Sequence, residues 1–352
     1  MDSSIYLEKN ISKKPALELL QKIGYTYLTP KDCNLQRGSK YQVLLKGILR
    51  SQLRKLNRFQ FGGIEQEFSS ANIERAIDEL DEPLTDGLIK TSEKIYDALM
   101  LGKSYQETVG EGKVLSFDLK YIDWEHFEDN VFHVTEEYLV ESCDGERTAI
   151  PDIVLFVNGI PFAVIECKAP HIPVEQGIDQ MRRNWESAYI PQLFKYIQIV
   201  MSTNKNAVKY ATVGTEKKYW SVWKEEDISF LEAAKTKYIT DRTVTVQDEN
   251  IISLFSLQRL KEISKYFILY DANVKKICRY QQYFAVKEIM KTINTDDTCG
   301  NRQGGVVWHT QGSGKSLTMV MLAKYILLEM AQCEPKVVVV TSINSIRWKA
   351  AD

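Results

Sequence analysis

PDIVLFVNGIPFAVIECKAP, residues 151–170, reads as an apolar hairpin with charge at its open end. An apolar run follows Asp152, Asn158-Gly159 marks a turn, and a second apolar run ends in Glu166 and Lys168. Alternate side chains of a strand share a face, so Phe162, Val164, Glu166 and Lys168 fall on one side. Burying an isolated charge is costly, so this pair either reaches solvent at the strand end or is compensated. Asp152 is the natural companion, and the turn decides whether it can approach. A two-residue turn at Asn158-Gly159 pairs Val157 with Ile160 and sets Asp152 opposite Ile165, away from Glu166. A three-residue loop, Val157-Asn158-Gly159, pairs Phe156 with Ile160 and sets Asp152 opposite Val164, diagonal to Glu166 and on its side. Gly159 suits the left-handed position that closes such a loop. The expectation is the three-residue loop, or an equivalent bulge near Pro151, because a slip of one residue moves every side chain to the other face.

Two converging carboxylates and a lysine suit phosphodiester hydrolysis. Asp152 and Glu166 repel one another and favour a hard divalent cation, Mg²⁺, with oxygen ligands, to which the backbone carbonyl of Cys167 can add. Such a cation activates water and stabilises charge on the phosphate oxygens. Lys168 would orient the nucleophile or neutralise the transition state, whereas a lysine of ordinary pKa is a poor proton donor to the leaving group. The helical stretch after the hairpin, VEQGIDQMRRNW, carries Gln180, Arg182 and Arg183. These form either a solvated face or phosphate contacts beside the site.

Outward from the hairpin the chain is α/β. SKKPALELLQKIGY reads as a helix with Pro15 in its first turn and Gly24 at its end. YQVLLKGILRSQLRKL reads as another, with further helices near 70–80, 89–101 and 174–188. KVLSFDLKYID, NVFHVTEEYLV, KYIQIVMST, AVKYATVG and YWSVWK read as strands. These place a mixed-sheet domain with an N-terminal helical region at 1–240. Residues 241–275 read as a helical connector within the charged, mostly helical stretch 225–275. From 276 onward, VKKICRYQQYFAVKEIMKTI reads as a helix, GGVVWHT and KVVVVT as strands, and QGSGKSLTMVMLAKYILLEMA as a loop entering a helix. Gly312, Ser313, Gly314, Lys315 and Ser316 then form a phosphate-binding loop, with backbone N–H groups at a helix N-terminus. Lys315 would reach the β- and γ-phosphates of ATP and Ser316 its Mg²⁺. His309 stands where the GxxxxGK[ST] pattern opens with glycine. Upstream, Arg279, Gln282 and Ala285 match an adenine-sensing helix entry, with Gln282 either reading the base edge or simply packing.

Composition adds bounds. A net charge of −2 carries no global basic field, so contact with DNA must use local patches. Six scattered cysteines lack CxxC spacing and read as free thiols of a reducing cytoplasm. The N-terminus lacks a signal-peptide pattern, and no apolar run approaches the roughly 20 residues that cross a bilayer.

The P-D-x13-E-x-K pattern resembles the PD-(D/E)xK nuclease superfamily. Joined upstream of HTQGSGKS, and together with IDWEHFEDNVFHV, PQLFKYIQIVMSTN and Gly214-Thr215, it resembles the R subunit of type I restriction enzymes. The resemblance implies a restriction-endonuclease-like domain followed by the start of a RecA-like helicase domain. It also implies an ATP-dependent, Mg²⁺-dependent deoxyribonuclease acting on double-stranded DNA with modification (methyltransferase) and specificity subunits. Asp152, Glu166 and Lys168 take the nuclease roles. Gln180 matches the first residue of a QxxxY element, whose tyrosine is Asn184 here. The sequence stops 37 residues after Lys315 (352 − 315), short of the Asp-Glu box and second lobe of that family, so ATP turnover is not expected of this chain alone. A nuclease–helicase of another restriction or repair system, and a catalytically silent docking fragment, are the alternatives. Glu93 is the upstream acid considered for a second metal.

Overall fold

The computed structural model describes residues 8–295, 303–308, 310, 312–331 and 334–340. The chain divides into two compact units, one up to Tyr280 and one from Gln281 on.

The first unit is built on a six-stranded mixed sheet. Its strands are β1 (Thr26–Tyr27), β2 (Phe132–Glu136), β3 (Ile153–Val157), β4 (Ile160–Cys167), β5 (Ile199–Thr203) and β6 (Val208–Ala211), side by side in chain order. β1 and β2 are parallel, as are β4 and β5, and the remaining pairs are antiparallel. β3 and β4 lie at the centre and are buried along their whole length. That explains their unbroken apolar sequences, since a strand covered on both faces has no polar side. A parallel step needs a crossover, and between β4 and β5 it is made by α2 (Val174–Asn184). Before β1 comes α1 (Lys14–Ile23), with Pro15 in its first turn and Gly24, at φ 132°, beyond its end. Both features follow the sequence reading.

Several elements differ from that reading. KVLSFDL does form a strand, but it pairs with Lys103–Val109 in a separate hairpin instead of joining the sheet. YWSVWK contributes only an isolated bridge, Ser221 to Tyr210. The helix expected from Tyr41 starts at Lys46, although Val43 and Leu44 are buried ahead of it. Residues 241–275 fold within the first unit as α3 (Val246–Phe255), a helix over Leu257–Tyr266 and a strand, Ile268–Asp271. The strand Val274–Ile277 then pairs back on it across Ala272-Asn273, both left-handed. That turn ends the helical reading of VKKI, and the helix α4 begins at Tyr280 (Tyr280–Ile293).

In the second unit, α5 (Lys315–Glu329) follows the glycine loop as expected. Residues 303–308 and 334–340 are not strands. Trp308 is 91% exposed and Val340 88%. A strand is held by its ladder, and among the described residues neither run has a strand paired to it.

Candidate active site

The turn between β3 and β4 has two residues, with Val157 paired to Ile160 and Pro161 to Phe156. The expected three-residue loop does not form. Asn158 and Gly159 are both left-handed, at φ 52° and 82°, as a tight hairpin turn of right-handed strands requires. Asn158 is held there by three bonds. Its Oδ1 accepts from Val131 N–H, and its Nδ2 donates to the Tyr121 carbonyl and to Asn130 Oδ1. The one-residue slip occurs instead inside β4, between Pro161 and Ala163, so Phe162 is a bulge. Pro161 has no N–H to give the ladder, which makes this the natural place to interrupt it. Beyond the bulge, Val164 pairs with Val154 and Ile165 with Ile153. One more step in that register sets Asp152 opposite Glu166.

The carboxylates therefore face one another through a bulge at Phe162, close to the turn and not near Pro151 where the alternative expectation put it. Asp152 Oδ2 accepts from the Cys167 backbone N–H at 2.9 Å. Glu166 is 1% exposed, and its Oε1 accepts from Lys168 Nζ at 2.7 Å. Its buried Oε2 has no hydrogen-bond donor. Burial, then the charge of Asp152, pushes the Glu166 carboxyl well above its ordinary value, and the nearby lysine only moderates this. Burial also raises Asp152, against the pull of Lys168, the Cys167 N–H and Lys13. For Lys168, burial alone would lower the pKa, but the charge and hydrogen bond of Glu166, with Asp152 and Glu8, outweigh it and raise it. Lys168 is thus an ammonium, held in place by Glu166 and by Gln180 Oε1 at 3.0 Å.

Gln180 comes from α2, which is pressed against the sheet at Gly177. A Cβ there would lie 2.3 Å from Ser202 Oγ and 3.2 Å from Glu166 Cγ. One turn past Gln180, Arg183 joins Lys168, Gln180, Glu8, Gln176 and Asp179 around an open groove of about 550 Å³. Arg182 is half-exposed and lies outside that lining. Asn184, where the resemblance leads one to expect tyrosine, is buried, and its carbonyl accepts from Ile190 N–H. Cys167 meets Asp152 through its N–H, while burial, with Asp152 and Glu166 nearby, pushes its thiol up and leaves it inert.

Two residues near the site were missed by sequence reasoning. Glu8 is half-buried; burial raises its carboxyl, while Lys168, the Ala169 N–H and Lys13 lower it and Asp152 raises it further. Lys13 approaches Asp152 from the N-terminal segment. Neither lies in a motif, so only the tertiary fold shows them. Glu93 instead neighbours Tyr270, on the helix Leu88–Leu101. Among the described residues one other cluster has ligand-like spacing, Asp123, His126 and Asp129. There Asp123 Oδ1 accepts the N–H groups of Glu125 and His126, and Oδ2 accepts from Lys120, so it shapes a loop.

In the second unit, Gly314 is left-handed at φ 87° and caps α5, with Lys315 and Ser316 exposed at the first turn. Gly312 is left-handed too, and Ser313 Oγ donates to the Thr310 carbonyl. Gln282 is buried and its Nε2 donates to the Gly314 carbonyl at 3.2 Å. It therefore braces the loop. His309 and the last twelve residues lie outside the described residues.

A mixed α/β domain thus carries a buried carboxylate pair and an ammonium at the ends of adjacent strands, ahead of a glycine loop that opens a helix. The chain belongs to the family of the type I restriction enzyme R protein N terminus, whose model matches residues 5–219. A SWI2/SNF2 ATPase model matches residues 281–346. The type I restriction enzyme HindI endonuclease subunit of Haemophilus influenzae is 27% identical over 97% of this chain and 32% of its own length. The putative MjaIXP endonuclease subunit of Methanocaldococcus jannaschii is 27% identical over 95% of the chain and 33% of its own. The putative MjaVIIP endonuclease subunit of the same organism is 32% identical over 59% of the chain and 19% of its own length. The chain thus spans about a third of the first two relatives. No described helix is long and apolar enough to cross a membrane.

Proposed function

We propose that the chain carries the DNA-cleaving module of a type I restriction endonuclease subunit, of PD-(D/E)xK type, with the ATP-binding loop of a RecA-like motor. The observation that carries this reading is the Glu166 Oε2. It is buried, has no donor, and belongs to a carboxylate that faces Asp152. Two acid groups in that position, with oxygen-only donors, fit a hard cation such as Mg²⁺. When bound, that cation would supply an activated water and charge neutralisation at the phosphate.

The chain's own residues do the rest. Asp152 and Glu166 stand opposite one another, one fixed by the Cys167 N–H and the other by Lys168. Lys168 spends two of its three donors on Glu166 and Gln180, and the third remains for a phosphate oxygen or the attacking water. Because it stays protonated, it acts as a charge and not as a base. Arg183 borders the groove and suits the DNA backbone; Gln180 aims the lysine. Double-stranded DNA, the methyltransferase and specificity subunits, and a cytoplasmic setting complete the proposal, with ATP taken by Gly312 to Ser316.

The test is nicking of supercoiled plasmid by the purified chain with Mg²⁺ or Mn²⁺, beside Glu166→Ala. Cleavage by the wild type that is lost in the variant supports the reading. Cleavage retained in Glu166→Ala refutes the site, and no cleavage by either means that further motor lobes or partner subunits are needed to assemble it, or that the isolated chain only docks.

A further inference from the structure

Asp152 has a second cation beside it. Lys13 ends a π-helical turn, Glu8–Lys13, just ahead of α1, and its side chain is 7% exposed. Its ammonium lies 2.7 Å from Glu137 Oε1 and 4.0 Å from both Glu136 Oε2 and Asp152 Oδ1. One buried ammonium is thus shared by three carboxylates. The backbone fixes the same group. Glu137 N–H donates to the Asp152 carbonyl at 2.9 Å, and Tyr138 N–H to the Pro151 carbonyl. To do so Glu137 is left-handed, at φ 51°, a conformation a glutamate rarely takes unless its surroundings impose it. The residue before Lys13 is tied down as well. Ser12 Oγ donates to Gln247 Oε1, Gln247 Nε2 donates to the Ser12 carbonyl, and Thr203 Oγ1 donates to the same Oε1. A lysine held this firmly has a specific role.

We propose that Lys13 is the internal counter-ion of the cleavage site, a positioning residue that divides its charge between Asp152 and Glu137 and so sets how strongly the carboxylates attract a divalent cation. The inference rests on Asp152 and Glu166 being the cation-binding pair. Without Lys13, Asp152, Glu136 and Glu137 form an uncompensated acidic nest open to a cation. Without the Glu137 charge, Lys13 is left to Asp152 and competes with the cation. The two substitutions therefore act with opposite sign, which loss of packing alone does not produce.

The experiment is calorimetric titration of MnCl₂ into the full chain as wild type, Lys13→Met, Lys13→Arg, Glu137→Gln and Glu166→Ala, with nicking rates at saturating Mn²⁺. Lys13→Met binds Mn²⁺ roughly tenfold more tightly, Glu137→Gln roughly tenfold more weakly, and Lys13→Arg as the wild type does. Lys13→Met also nicks about tenfold more slowly despite the tighter binding, because Asp152 keeps the Cys167 N–H but loses the cation that restrains its other oxygen. Unchanged or weaker Mn²⁺ binding by Lys13→Met overturns the proposal, as does wild-type nicking by that variant. If Lys13→Met fails to fold, Glu137→Gln decides, since that side chain is half-exposed: weaker binding supports the counter-ion role and unchanged binding refutes it. Should Glu166→Ala bind Mn²⁺ like the wild type, the cleavage-site reading fails and takes the counter-ion role with it, whereas failure at Lys13 or Glu137 alone leaves that reading standing.

Discussion

Gly177 occupies a place where a single added methyl has nowhere to go. Its missing Cβ lets α2 lie against Ser202 and the stem of Glu166. Gly177→Ala is expected to cost about 1–3 kcal/mol by overpacking, read from urea denaturation. Removing the obstructing hydroxyl with Ser202→Ala should recover part of that loss, and the double-mutant cycle should give a coupling of about 1 kcal/mol. Strict additivity would show that the helix simply shifts. Glu166 carries a second prediction. Its folded pKa is raised, chiefly by burial and then by Asp152, so its protonated form is the favoured one in the fold. The cation-free protein then has this stabilisation in full below the unfolded value of 4.5 and loses it as pH rises toward the folded pKa. The thermal midpoint should fall over that window, less steeply in Glu166→Gln, and Mg²⁺ should restore it on the alkaline side. Equal slopes for the two proteins would contradict this account.

At the scale of elements, the hairpin from β3 to β4 shows what a sequence can disclose. Its apolar runs, the position of its turn at Asn158-Gly159 and the convergence of Asp152 with Glu166 were legible, because alternation and turn chemistry are local, but the length of the turn was misjudged. The mechanism of the slip was not legible. The bonds that hold Asn158 in a two-residue turn come from Tyr121, Asn130 and Val131, well upstream. Lys13 was invisible for the same reason, since 124 residues separate it from Glu137. The strands expected at 304–310 and 336–341 do not form over their described residues, because apolar content does not by itself supply a ladder partner. The turn also yields a clean comparison. Gly159 and Gly145 are both left-handed, but a Cβ on Gly159 would lie 2.7 Å from the Leu45 carbonyl, whereas Gly145 has open space. Replacing Gly145 by alanine should cost about 1 kcal/mol, the backbone strain alone. Gly159→Ala should cost about 2 kcal/mol more, because the carbonyl must move as well. Equal costs in parallel denaturation curves would mean that the close approach relaxes freely.

For the whole molecule, every residue assigned to the cleavage site lies in the first compact unit, between Glu8 and Arg183, with Gln247 behind it. A chain ending at Tyr280 should therefore bind Mn²⁺ with the affinity of the full chain, and a clear loss by calorimetry would show that the second unit shapes the site. The Gln247 side chain bears on where such a piece can be cut. The family model ends at residue 219, yet α3 begins at 246, and its Ile251, Ile252, Leu254 and Phe255 are buried within the first unit. A fragment trimmed to the family boundary would strip a wall from its own interior and leave Ser12 and Thr203 without the amide that ties them together. An inert fragment of that kind would report on the scissors used to make it, and the proposed chemistry would remain to be tried.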